Sequence, residues 1–204
     1  SDPDILYLQS GCLTVFLLTV PYLFTIKRTG LKTSEFLPCK KVDASLLVTL
    51  IMVGIGVCAV SNYATVSLAM FLENTFGMTV ESSMVDFGTG PKSFVLMLLC
   101  VGLLSALLEE FALRGVVLAA LRKRFSDGMS IIISASLFGL LHGNLQQIPF
   151  AFGVGMILGY TTVYSGSLVP AMVIHGFNNC LSVAMTFATR SASPMLGTVI
   201  MLLY

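Results

Sequence analysis

Leu108-Glu109-Glu110-Phe111-Ala112-Leu113-Arg114 places three ionisable side chains inside an apolar run that covers residues 94–121. About 20 apolar residues in a helix cross the ~30 Å hydrocarbon core of a bilayer, so this run is long enough to span. An ionisable group at the centre of such a helix costs at least ~2.5–3.5 kcal/mol on insertion scales. Glu109, Glu110 and Arg114 therefore need partners, and other segments of the chain must bring them.

Composition extends the membrane reading to the whole molecule. Of the 204 residues 56% are hydrophobic and only 10% charged, against about 25% charged in a soluble domain. The mean hydropathy is +0.93. The chain reads as all-α, a single integral membrane domain over 1–204, folded as a polytopic transmembrane helical bundle of about 6–7 membrane segments, some short or broken. No basic patch carries interleaved aromatics, so nucleic acid is excluded as a partner, and membrane lipids are expected around the bundle. Cys12, Cys39, Cys58, Cys100 and Cys180 are scattered, odd in number and without a CxxC pair; they read as small apolar side chains rather than a disulfide or metal framework.

The expected spans are 5–26, 44–72, 94–121, 129–142, 149–164 and 168–189, with 195–204 as a half-span or a truncated seventh helix. Lys27, Arg28, Lys32, Lys40 and Lys41 follow the first span, and Arg122-Lys123-Arg124 follows the third. The positive-inside rule puts both loops in the cytoplasm, as two intervening crossings require, and leaves the N-terminus outside. Ser165-Gly166-Ser167 then turns on the cytoplasmic side. Gly155 and Gly159 share a small-xxx-small spacing that permits close helix approach.

Both histidines sit on apolar segments. His142 ends the fourth span; His175 lies in the sixth, followed by Asn178 and Asn179. Glu109 precedes Arg122 by thirteen residues, roughly 20 Å of helix, and similar arithmetic puts His142 and His175 at comparable depth. One buried polar site is the economical reading. Glu110 and Arg114 stand at i and i+4 and can pair on one face. Glu109 has no basic residue at i+3 or i+4, which makes it the candidate general base near the two imidazoles.

Three short motifs carry a family resemblance. Glu109-Glu110-Phe111-Ala112-Leu113-Arg114 has the form EExxxR, Phe138-Gly139-Leu140-Leu141-His142 the form FxxxH, and His175-Gly176-Phe177-Asn178-Asn179 the form HxxxN. Their order and separation on hydrophobic segments resemble the CPBP family of intramembrane proteases, which includes CAAX prenyl endopeptidases of the Rce1 type and bacteriocin-immunity, Abi-like proteins. The resemblance marks 94–189 as the motif-bearing catalytic core. It implies an intramembrane endopeptidase acting on membrane-associated or lipidated proteins and peptides. Glu109 would be the general base and His142 would hold the water. His175 and Asn179 would donate to the oxyanion. Glu110, Arg114 and Phe138 would support them. A water activated by glutamate without metal is favoured over a zinc ion held by Glu109, His142 and His175. The rival readings are a non-catalytic scaffold or immunity protein of the same fold, a haem carrier using both histidines, and a transporter. Small size and short loops suggest a prokaryotic plasma membrane, with the site reached from the cytoplasmic side or within the bilayer.

Overall fold

A computed structural model describes residues 37–77, 90–143 and 147–191, with isolated positions between 19 and 34. All regular structure among them is helical. The helices are α1 (Ala44–Phe76), α2 (Pro91–Leu121), α3 (Asp127–Leu141), α4 (Gln147–Ser165) and α5 (Val169–Ser191). Four stretches are long and apolar enough to cross a membrane: α1, α2, α4 and Val169–Ala188 of α5. They mark the chain as an integral membrane protein. At 15 residues α3 is shorter, about 22 Å of helix. The span expected over 5–26, apart from isolated positions, and the stretch 195–204 lie outside the described residues.

Local chemistry explains the helix ends. α1 begins after Asp43 and runs four residues past its expected end, until Gly77 takes the left-handed conformation at φ 65° and stops it. Ser126 Oγ accepts the Met129 N–H and caps α3, and Asp127 in the first turn suits the helix dipole. α2 departs from a regular helix. It winds as a π-helix over Leu98–Leu104 and again over Phe111–Leu118, leaving the α-helical turn Ser105–Glu110 between them.

The chain divides into two compact units, each built from separated pieces. One contains Leu31–Met84 and Phe111–Ile174. Its core is Leu50, Leu113, Phe138, Ala151, Val154, Leu158, Ala171 and Ile174. Gly155 and Gly159 are where α3 presses on α4: a Cβ on Gly155 would lie 3.1 Å from the Ala135 Cα, and one on Gly159 3.1 Å from Ile131. The turn between α4 and α5 is clasped by the segment before α1, because Leu168 N–H donates to the Pro38 carbonyl at 2.9 Å and Ser167 Oγ to the Lys40 carbonyl at 2.9 Å. The other unit contains Ser1–Gly30, Val85–Glu110 and His175–Tyr204. Met97 and Val183 are its buried contact, with Phe94, Leu98 and Val101 around them; the Phe94 and Phe187 rings meet at 4.8 Å.

Candidate active site

Within the second of these units, the start of α2 and the end of α5 run antiparallel, with Phe94 beside Phe187, Met97 near Val183 and Gly102 against Cys180. Gly102 sets their separation. A Cβ on Gly102 would stand 2.8 Å from Cys180 Sγ, and one on Gly176 would meet Leu103 at 3.8 Å and Ala106 at 4.0 Å. Backbones brought this close let short polar side chains bond across the seam.

At the level of Glu109 and Glu110 the seam is polar. His175 Nδ1 lies 2.8 Å from Glu110 Oε1, and His175 Nε2 lies 3.8 Å from Glu109 Oε2. With the carboxylate as acceptor, Nδ1–H is the donor, and the ring is held with Nε2 toward Glu109. Glu110 is fully buried and His175 is 3% exposed, whereas the Glu109 side chain keeps 25% of its surface accessible. One carboxylate is sealed against the imidazole; the other can be reached. One helical turn along α5, Asn179 Nδ2 donates to the Val101 carbonyl and to Ser105 Oγ, both at 3.4 Å. Asn178 Nδ2 reaches Asn179 Oδ1 at 3.5 Å.

Arg114, Phe138 and His142 belong to the other unit and are in contact with one another. Arg114 is 2% exposed. Its Nη2 donates to the Gly155 carbonyl at 3.1 Å, and its guanidinium lies 4.6 Å from the centre of the Phe138 ring. The Phe138 and His142 rings meet edge to face at 4.8 Å, and His142 Nδ1 donates to the Phe138 carbonyl at 2.8 Å. A carbonyl can only accept, so in neutral His142 the lone pair is on Nε2, and the residue is exposed.

The seven motif residues are thus distributed as Glu109, Glu110, His175 and Asn179 in one unit and Arg114, Phe138 and His142 in the other. Face assignment by 3.6-residue periodicity lets Glu110 pair with Arg114 and gives Glu109 to the histidines; in the structure Glu110 also bonds His175, more closely than Glu109 does. Ser105 and the Val101 carbonyl, the partners of Asn179, also escape motif reading. Their one sequence signal is a small polar residue one turn before Glu109. Among the described residues no three His, Cys, Asp or Glu side chains are grouped to hold a metal ion.

Residues 91–181 match the family model described as type II CAAX prenyl endopeptidase Rce1-like. No curated protein and no solved structure matches the chain. The match begins at the first turn of α2 and ends just beyond Asn179, enclosing every residue of the three motifs. Over residues 91–181 the chain is a domain of the Rce1-like type II CAAX prenyl endopeptidase family, whose members are generally proteases.

Proposed function

We propose that the protein is an intramembrane endopeptidase that hydrolyses peptide bonds in membrane-associated or lipidated substrates, prenylated chains among them, with Glu109 as general base. The observation that supports it is the His175 imidazole set between two carboxylates, one sealed and one accessible. A water about 2.8 Å from both Glu109 Oε2 and His175 Nε2 would subtend about 85° between them, close enough to tetrahedral for hydrogen bonds to both. Glu109 takes a proton from that water as its oxygen adds to the scissile carbonyl carbon. The Asn179 Nδ2–H and, in the imidazolium form of His175, its Nε2–H stabilise the oxyanion. The 3.4 Å contacts of Asn179 are long enough to be exchanged for it. Collapse breaks the C–N bond, and Glu109 returns its proton to the leaving amine. His142 is assigned to holding the water. Arg114 and Phe138 are assigned to fixing the segments that carry these groups, with 94–189 as the catalytic core of one membrane domain. The remaining apolar stretches bring the count to about 6–7 membrane segments, with the N-terminus outside and the site reached from the cytoplasmic side or within the bilayer.

Purified protein in liposomes, given membrane-anchored and prenylated reporter peptides, tests the reading. Glu109→Gln is expected to lower cleavage by roughly 10²–10⁴-fold, the usual contribution of a positioned base, and chelators are expected to leave the wild-type rate unchanged. Full activity in Glu109→Gln, or function that survives without any cleavage, would transfer the protein to the scaffold class.

A further inference from the structure

We infer that Ser105 is a positioning residue for this site and acts through Asn179; the inference rests on the hydrolytic reading above. Ser105 belongs to none of the three motifs. Its hydroxyl donates to the Val101 carbonyl one turn earlier and accepts from Asn179 Nδ2 at 3.4 Å. Asn179 Nδ2 also reaches that same carbonyl at 3.4 Å. Serine hydroxyl, backbone carbonyl and carboxamide thus close a three-member ring of hydrogen bonds across the seam between α2 and α5. A carbonyl has two lone pairs and can hold both donors.

The position of this ring gives it leverage. Ser105 lies four residues before Glu109, and Asn179 four residues after His175. On antiparallel helices those offsets put the ring one turn from the Glu109–His175 contact, on the same seam. Around the two contacts the packing is Gly176 against Leu103 and Ala106 and, beyond the ring, Gly102 against Cys180, none of it polar. A slide of one residue moves α5 by about 1.5 Å, which is large beside the 3.8 Å separation of His175 Nε2 from Glu109 Oε2. The Ser105 ring resists that slide and fixes which way the Asn179 amide hydrogens point. In an apolar surrounding an amide without its acceptor is costly, so even long bonds direct it.

Steady-state cleavage of the reporter peptide by Ser105→Ala, Ser105→Thr, Asn179→Ala and the Ser105→Ala/Asn179→Ala double variant is the test. Ser105→Ala is expected to lower kcat by about 10-fold with KM within about two-fold. Ser105→Thr keeps the hydroxyl and should retain most of kcat. In the Asn179→Ala background, removing the hydroxyl should cost nothing further, because the two residues act as one. Circular dichroism melting confirms that the variants compared are folded. Wild-type kcat in Ser105→Ala, failure of threonine to rescue, or independent multiplication of the two single losses would overturn the inference while leaving the hydrolytic reading intact. Loss of that reading has a different signature: Glu109→Gln as active as wild type, or no cleavage by any form. Either result removes the inference with it.

Discussion

Glu110→Ala would leave the buried Nδ1–H of His175 without the acceptor it has at 2.8 Å. An unmatched buried donor costs about 1–3 kcal/mol, so the variant should melt earlier in detergent, as followed by circular dichroism. Glu110→Gln keeps an acceptor oxygen at nearly the same place and should melt close to wild type. Catalysis separates the two carboxylates differently. Glu110→Gln should retain measurable cleavage because its role is to orient the ring, whereas Glu109→Gln should not. Equal loss of activity in both variants would mean that the glutamates share the base role. The sealed residue therefore answers mainly in stability, and the accessible one mainly in rate.

Helix pairs in this protein depend on where side chains are missing. A Cβ at Gly155 would come within 3.1 Å of the Ala135 Cα and of the Phe138 ring. The Ala135 backbone cannot rotate away, and the Phe138 ring is held under Arg114. Gly155→Ala should therefore force α3 and α4 apart and cost about 1–3 kcal/mol of stability, as overpacking does, seen as earlier melting. Gly56 in α1 has open space where a Cβ would go, so Gly56→Ala should be neutral or stabilising by up to about 1 kcal/mol. The reverse ranking of the two variants would contradict this account of the packing. Much of the element plan was legible in sequence. α1 starts at Ala44 as its apolar run does, and α3 to α5 begin and end within a few residues of their runs. The π-helical winding of α2 was not legible. Its residues are apolar on every side from Phe94 to Leu104, so no pattern records whether a turn contains four residues or five. The bond of Glu110 to His175 was hidden because the i, i+4 spacing offers Arg114 as its partner, while Glu109 and His175 were readable as candidates.

For the whole molecule, the clasp of Pro38 and Lys40 on Leu168 and Ser167 places two connecting segments on one side of the membrane. The topology proposed from the charge distribution puts that side in the cytoplasm, together with Arg122-Lys123-Arg124. Cys39 lies within the clasp segment and is exposed. A membrane-impermeant maleimide should label it in inside-out vesicles and leave it unlabelled in right-side-out ones, scored in a variant with the other four cysteines replaced. Labelling only from the opposite face would invert the topology.

The same clasp has a consequence in time. Ser167 and Lys40 are separated by 127 positions, and each compact unit is assembled from pieces that leave the ribosome far apart. At roughly 5–20 residues per second, about 6–25 s pass between synthesis of Lys40 and of its partner. Throughout that interval α1 must wait in the bilayer with its docking surface unmade. His175, which completes the acidic seam, is synthesised later still, so during translation the two glutamates enter the membrane before the imidazole that will meet them exists.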